Sequence, residues 1–296
     1  MMNLTETLDK RMIVILLISV LFVPVRLHSD VAAPPASLTY KGIEFVLIPA
    51  GVFEMGSTKA EIDAAFESAN LRSSTLERQV FAAEAPKHTV HLDAYYISKY
   101  EITNAQYRAF VEATGHKPPY NRKEKQWMWD VPEFSHPNQP VSGVTWFDAA
   151  AFCDWSGVKL PTEAQWEKTA RGTDRRKYPW GNTTPNRKMA AFGKNVAYPV
   201  AVGTYPQDVS PYGVMDMAGN VSEWCRDGYN ASFYRYSPLK NPLYTVRGRR
   251  NAARSIRGGA YNYSTVYLRS ALRTRLAADM SFRGIGFRVV YIPPSR

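Results

Sequence analysis

The chain has 296 residues, 45% of them hydrophobic and 21% charged, which is the composition of a globular protein with room for one large domain or two small ones. Its 20 prolines and 18 glycines indicate many turns and short elements and argue against an architecture of long helices. The net charge of +11 is uneven, because residues 247–296 carry eleven arginines and one acid, Asp279.

The N-terminus predicts an export signal. Lys10 and Arg11 precede Met12–Val25, a run of 14 almost wholly apolar residues that is shorter than a membrane span. We assign residues 1–29 to a signal peptide and residues 30–40 to a linker, so the body of the protein is expected to be periplasmic or secreted. An uncleaved membrane anchor is the alternative.

Two stretches after the linker are typical of strands. Residues 45–56 and 88–100 combine β-branched and aromatic residues with glycine and proline at the breaks. The polar residues 58–80 between them predict a loop with a helical turn, or an insertion.

Three short helices can be delimited by their capping residues. Thr103, Thr145 and Thr162 are each placed as an N-cap, and Gln106 and Gln165 complete two capping boxes. The predicted helices are Asn104–Ala113, Trp146–Trp155 and Glu163–Ala170.

From Tyr178 onward the sequence shows no helical period, only turns and short strands. The chain is therefore predicted to be an α+β protein with much irregular backbone. No internal repeat or second domain boundary is evident, so one domain is assigned to residues 41–292.

A series of short sequence blocks occurs in a fixed order along this domain. The blocks are FEMG (53–56), EITNAQY (101–107), PVSGVTW (140–146), KLPTEAQWE (159–167), YPWGN (178–182), GVMDMAGNVSEW (213–224), RGG (257–259) and GFR (286–288). The series resembles the formylglycine-generating enzyme, or sulfatase-modifying factor, family. The resemblance implies a C-type-lectin-like fold, loop-rich with short strands and a few short helices, and with calcium ions that support its loops.

A calcium site is expected in one of these blocks. Asp216 and Glu223 flank a glycine-containing turn, and calcium takes about six to eight oxygen ligands from carboxylates and main chain. In the family's equivalent site the ligands match the side chains of Asp216 and Glu223 and the carbonyls of Gly219 and Val221. The alternative is that Asp216 caps a turn and Glu223 pairs with an arginine. The family's second calcium site starts from an asparagine that is Ala191 here, which puts that site in doubt.

The oxidation reaction of the family is not expected in this chain. Formylglycine-generating enzymes oxidise a substrate cysteine with copper(I) held by two thiolates, which follow a Gly-Gly-Ser turn. Here the serine is Ala260, the first cysteine position falls on Tyr263, and the second, near Leu268, has no cysteine. No catalytic residue is assigned, and copper is not expected unless Cys153 and Cys225 replace the missing pair. The spacing of these two cysteines does not decide whether they form a disulfide.

A ligand groove is the remaining candidate site. It is assigned to Tyr261, Tyr263, Tyr267, Arg269 and Arg273, in the region that faces an extended substrate peptide in the family. Tyrosine and arginine supply much of the binding energy at such sites. The alternative is that the tyrosines pack in the core and the arginines bond loops.

Three functions are compatible with these residues. The first is an exported protein that binds a peptide or envelope ligand in the groove without copper chemistry. The second is a periplasmic oxidoreductase of different chemistry, similar to relatives that act in pyoverdine maturation, or a formylglycine generator with non-standard metal ligands. The third is a lectin-like receptor of a diversity-generating system.

We predict the first function. The protein is expected to be a monomer that binds no nucleic acid and meets a membrane only through an uncleaved N-terminal segment. The role of the cluster Arg247, Arg249 and Arg250 stays open.

Overall fold

The computed structural model describes residues 35–68, 75–193, 195–246 and 251–293. The predicted signal peptide, the linker up to residue 34 and the cluster Arg247, Arg249 and Arg250 lie outside the described residues. Within the described ranges no helix is long and apolar enough to cross a bilayer.

The three predicted helices are present, each one residue longer than predicted. The side chains of Thr103, Thr145 and Thr162 accept hydrogen bonds from the backbone N–H three residues on, and all three form capping boxes. The α-helices of the described chain are α1 Lys59–Ser68, α2 Thr75–Ala82, α3 Asn104–Thr114, α4 Trp146–Ser156 and α5 Glu163–Arg171. After Arg171 the described residues contain only short 3-10 turns and strands, as predicted.

The prediction of a loop with a helical turn, or an insertion, for residues 58–80 was wrong, because the helices α1 and α2 lie there. α1 buries Ile62, Ala65 and Phe66, and the Phe66 ring packs edge-on against Phe81 of α2 at 5.7 Å between centroids. The stretch has too few apolar residues for a clear helical pattern, and burial against a neighbouring helix stabilises it instead.

Twelve short strands in the described chain form two four-stranded sheets and two ribbons. They are β1 Ser37–Tyr40, β2 Ile43–Ile48, β3 Gly51–Met55, β4 His88–Leu92, β5 Tyr95–Ser98, β6 Tyr120–Asn121, β7 Gln126–Trp127, β8 Ser222–Gly228, β9 Ala253–Arg257, β10 Thr274–Ala277, β11 Ile285–Gly286 and β12 Val290–Tyr291. The first sheet has the order β1-β2-β5-β12 and the second the order β10-β9-β8-β11, while β3 pairs with β4 and β6 with β7.

Two strand boundaries differ from the sequence prediction. Residues 45–56 are divided between β2 and β3, which belong to different sheets, because Pro49 and Ala50 interrupt the run. β1 pairs with β2 from Ser37 onward, so the folded domain includes the last residues assigned to the linker.

Strand β8 lies between the two largest hydrophobic clusters. Trp224 belongs to the cluster that holds Phe152 of α4, whereas its neighbour Cys225 belongs to the cluster around Trp166 of α5. Successive side chains of a strand point to opposite faces, so β8 is buried on both sides. The side chains on both faces of β8 are therefore packed in the interior.

A network of buried charges joins α5 to the C-terminal part of the chain. Arg257 donates to Glu163 at 2.9 Å and to Glu167 at 3.1 Å, and Arg273 donates to Glu163 at 2.6 Å. Arg171 donates to Glu167 at 2.7 Å, so two carboxylates hold three guanidiniums. Burial opposes ionisation of Glu163, but Arg273 and Arg257 outweigh it and hold the pKa of that carboxyl at about 2. Arg273 therefore has a structural role in the interior, in line with the alternative interpretation of the predicted groove.

Substitution of Arg257 by leucine is expected to lower the free energy of unfolding by about 3–5 kcal/mol, because it removes one of the two guanidinium partners from each of two buried carboxylates, Glu163 and Glu167. Arg283→Leu is the matched control, since it removes a half-exposed pair with Glu124 and should change stability by less than about 1 kcal/mol. Urea unfolding followed by tryptophan fluorescence measures both. Similar losses in the two variants would contradict the structural role of the network.

Candidate functional site

A cleft of about 460 Å³ opens beside the second sheet. Ile256 of β9, Leu276 of β10 and Ile285 of β11 form part of its apolar wall. Its polar wall includes Ser222, Asn262, Tyr263, Ser264, Tyr267 and Arg275. The volume and the mixed lining are those of a site for a small ligand or a short stretch of peptide.

The cleft is bordered by an edge strand. β10 is the last strand of its sheet and, among the described strands, pairs only with β9. Thr274, Arg275 and Leu276 of β10 all line the cleft. An edge strand presents backbone N–H and C=O groups on the side away from its neighbour, and these groups can pair with another extended chain.

Tyr263 and Tyr267 face the cleft together. Their ring centroids are 5.0 Å apart and the ring planes are tilted by 50°. The backbone of Tyr263 is fixed by two hydrogen bonds, one donated by Gly193 N–H to its carbonyl and one from its own N–H to the carbonyl of Ala260. Burial is the main cause of the raised pKa of Tyr263, and the neighbouring Tyr267 adds to it. The hydroxyl of Tyr263 therefore stays neutral at physiological pH.

The other three residues of the predicted groove lie in the interior instead of beside these tyrosines. Tyr261 packs against Phe134 at 6.3 Å between ring centroids. Arg269 is paired with Glu84, and Arg273 with Glu163. The structure therefore brings Tyr263 and Tyr267 together at the cleft, and it places Tyr261, Arg269 and Arg273 elsewhere.

Sequence reasoning missed Arg275, Ser222 and Asn262, which line the same cleft. Arg275 lies two residues beyond Arg273, which immediately precedes β10. Alternation along a strand places residues two apart on the same face, so no local pattern distinguishes the exposed arginine from the buried one. Ser222 is more than 30 residues away along the chain, and its approach depends on the parallel pairing of β8 with β11.

The positions that match the family's copper ligands carry no thiol. Leu268 is fully buried in a cluster with Tyr178 and Phe192, and Ala260 is also fully buried. The two cysteines of the chain are free and buried, Cys153 on α4 and Cys225 on β8, and they belong to different hydrophobic clusters. Burial raises the pKa of both thiols, so neither is activated as a thiolate ligand.

We expect that a thiol reagent, such as a chromogenic disulfide, does not modify either cysteine of the native protein. The reason is that each thiol is inaccessible and is protonated at neutral pH. The same assay in denaturant should count two thiols per chain. Rapid modification of the native protein, or no thiols after unfolding, would disagree with this arrangement.

The histidines do not supply a metal site in the described chain. His88 and His91 lie on β4 three residues apart, which places them on opposite faces of the strand. The His88 ring packs on Tyr234 at 4.7 Å between centroids. Within the described ranges no three side chains of the types His, Cys, Asp and Glu are grouped to hold a metal ion.

The turn predicted to bind calcium has an unusual backbone. Asp216, Gly219 and Asn220 adopt the left-handed region, with φ of 56°, 93° and 54°. A Cβ atom at Gly219 would lie 2.1 Å from the carbonyl oxygen of Ala191, so the close approach requires glycine. Ala191, which replaces the ligand of the family's second calcium site, is buried and accepts a hydrogen bond from Asn220 N–H.

Four carboxylates and one guanidinium are buried around this turn, and they belong to Asp208, Asp216, Glu223, Glu101 and Arg288. Glu223 accepts hydrogen bonds from Trp166 and from Arg288, both at 2.7 Å. Its second oxygen, Oε1, is buried without a partner, and so is Oδ1 of Asp208. The fourth member, Glu101, accepts from the backbone N–H of Val221.

Electrostatics at the turn favour an added cation. Burial raises the pKa of Asp216 to about 6 and the pKa of Glu101 well above its usual range, and the neighbouring carboxylates add to the shift. A hard divalent cation would offset these charges, and the unpartnered oxygen of Glu223 gives it a free ligand. The residues therefore fit calcium, which would be held by the side chains of Asp216 and Glu223 and the carbonyls of Gly219 and Val221. Calcium at this turn stays a prediction.

Removal of calcium with EDTA is expected to lower the melting temperature by about 5 °C, if free calcium is first present at about 100 times its dissociation constant. Asp216→Ala should abolish the response to EDTA, because it removes one carboxylate ligand. Asp154→Ala, an exposed acid on α4, serves as the control and should keep the response. Identical melting curves of the unmodified protein with and without EDTA would rule out the ion.

Comparison with known proteins gives a family match over most of the chain. The family described as the sulfatase-modifying factor enzyme 1-like domain matches residues 32–292. The formylglycine-generating enzyme of Thermomonospora curvata is 31% identical to this chain, and the alignment covers 84% of this chain and 93% of that enzyme. The hercynine oxygenase of Mycolicibacterium smegmatis is 30% identical, with coverage of 77% and 56%.

The fold is also found in solved structures. PvdO from Pseudomonas aeruginosa superimposes with a TM-score of 0.70 at 23% identity, covering 88% of this chain and 99% of that protein. An identity at this level supports a common fold and carries no statement about ligand or reaction.

Proposed function

Because the chain belongs to the sulfatase-modifying factor family, we propose that it is an exported binding protein that holds an extended peptide in the cleft beside β10. The family resemblance and the C-type-lectin-like α+β fold predicted from the sequence are confirmed by the matches above. Peptide binding and export are our proposals. The observation that carries the first of them is the polar and aromatic cleft along an edge strand, at the position where the family is expected to receive its substrate peptide.

The mode of binding follows from the cleft walls. An extended peptide that lies along β10 can pair its backbone with the open edge of the strand, as in other cases of strand addition. Alternate side chains of the peptide would then enter the cleft and contact Tyr263 and Tyr267. Rigid aromatic rings give such contacts a large area with little loss of side-chain entropy.

The charge of the cleft indicates which peptides it prefers. Arg275 is the one guanidinium among the described lining residues, and no carboxylate lines the cleft. Its side chain is exposed and lies 5.2 Å from the centre of the Tyr229 ring, outside any ion pair of the described chain. We therefore expect the bound peptide to carry an aspartate or glutamate next to the residues that contact the tyrosines.

The proposed function includes no oxidation step. The first position of the copper thiolates falls on Tyr263, and no cysteine lies near Leu268, where the second is expected, so the usual ligands for copper(I) are missing. The alternative is an oxidoreductase of different chemistry, and the observation that favours it is the similarity to a hercynine oxygenase. The two functions differ in whether a bound peptide is chemically changed.

A peptide selected from a random display library is expected to bind the purified protein. The Tyr263→Ala variant of the protein should bind this peptide about tenfold or more weakly. Arg275→Glu should lower the affinity for an acidic peptide by about tenfold. This loss of affinity should be smaller at high salt, because the contact is electrostatic. Isothermal titration calorimetry measures both. Tyr236→Ala is the control, since Tyr236 is exposed and lies outside the cleft.

Two results would count against the proposal. One is a selected peptide whose affinity is unchanged by both cleft variants, which would place binding elsewhere. The other is a change in the mass of the bound peptide after aerobic incubation with copper(I) or iron(II), together with oxygen consumption, which would establish the oxidoreductase instead.

A further inference from the structure

A second cavity, of about 250 Å³, lies next to α1 and the C-terminal end of α5. We call it the basic pocket. It shares no lining residue with the cleft beside β10. Its polar lining consists of Ser57, Glu61, Arg171, Arg175, Lys177, Asn182 and Arg269.

The floor of the basic pocket is made of buried arginines with incomplete hydrogen bonding. Arg171 is 4% exposed and Arg269 is 5% exposed. The terminal nitrogens of Arg269 form a two-pronged pair with Glu84, and Nη1 of Arg171 bonds Glu167 and the carbonyl of Gly56. The Nε–H groups of both arginines are buried without a partner. Two guanidiniums of the pocket lining therefore each have an N–H donor that the protein itself does not satisfy.

The rim of the basic pocket adds positive charge. Arg175 is exposed and Lys177 is half-buried, and neither forms an ion pair within the described chain. The acid of the rim, Glu61, is already paired with Lys87 at 2.6 Å. Burial is the main cause of the lowered pKa of Lys177, and the nearby Arg269 adds to it.

The partners of the floor arginines do not cancel this charge. Glu167 is shared between Arg171 and Arg257, so it neutralises neither fully. Glu84 balances Arg269 alone. With Arg175 and Lys177 added, the basic pocket holds more cationic than anionic groups.

We propose that the basic pocket binds a small oxyanion, a phosphate or sulfate group. Such a group has several acceptor oxygens on one compact centre, and it matches converging guanidinium, ammonium and side-chain amide donors. The volume of about 250 Å³ accommodates the anionic group with room for part of a larger molecule, and the mouth reaches solvent through the exposed residues Arg175 and Asn182. The group can therefore arrive as a free ion or as the end of a larger molecule.

Inorganic phosphate and sulfate, titrated into the full protein at constant ionic strength, test the site. We expect dissociation constants of about 1 mM or below, with no saturable response to chloride. Lys177→Gln and Arg175→Gln should each weaken binding by about tenfold, because each removes a charged donor at the rim. Lys188→Gln, an exposed lysine outside the pocket, is the matched control and should leave the affinity unchanged.

Glycerol phosphate distinguishes the two sources of the group. Binding as tight as that of inorganic phosphate supports a pocket for the end group of a larger molecule, and binding of the inorganic ions alone supports a pocket for the free ion. Circular dichroism and the melting temperature show that the variants are folded.

The proposal is overturned by either of two results. The first is the absence of saturable phosphate or sulfate binding up to about 20 mM, far weaker than paired charged donors provide. The second is a Lys188→Gln variant that loses as much affinity as the rim variants, because this would reduce the effect to overall charge.

Discussion

The carboxylate of Glu163, in the first turn of α5, accepts hydrogen bonds from the guanidiniums of both Arg257 and Arg273. Arg257 ends β9 and Arg273 immediately precedes β10, so the segment that carries Tyr263 and Tyr267 starts and ends at one buried carboxylate. This segment forms part of the cleft wall, so the positions of Tyr263 and Tyr267 depend on where its two ends are held. A network of this kind adds little net stability over an apolar core, but once formed it penalises any other arrangement of the segment.

The backbone inside the segment reinforces the same geometry. Gly258 and Gly259 turn with φ of 92° and 73°, and a Cβ atom at Gly259 would lie 2.8 Å from the carbonyl oxygen of Tyr267. The turn thus closes directly against the 3-10 turn Thr265–Leu268. Leu268 then fills the interior under the cleft beside Tyr178 and Phe192. The segment thus packs with apolar and aromatic side chains in the region where the sequence analysis expected copper ligands in the family.

The arginines of the C-terminal part divide into two groups with different physical roles. Arg257, Arg273 and Arg288 are fully buried and bonded to carboxylates and carbonyls, so their charge serves the interior. Arg275 is exposed at the cleft, and Arg269 is buried at the basic pocket with one donor unpartnered. The arginines named here, all within the described part of residues 251–293, therefore stabilise the interior in three cases and line two separate cavities in the other two.

The sequence by itself determined the features that depend only on residues close together along the chain. The helices that begin at Thr103, Thr145 and Thr162 were predictable, because a capping box joins residues three apart, and so was the family, because its blocks are short local motifs. The tertiary structure alone decided which residues of the predicted groove line the cleft. Arg269 meets Glu84 across 185 residues and Arg273 meets Glu163 across 110, and no local pattern encodes such partners. The helices α1 and α2 escaped prediction for the same reason, since their stability comes from burying Phe66 against Phe81.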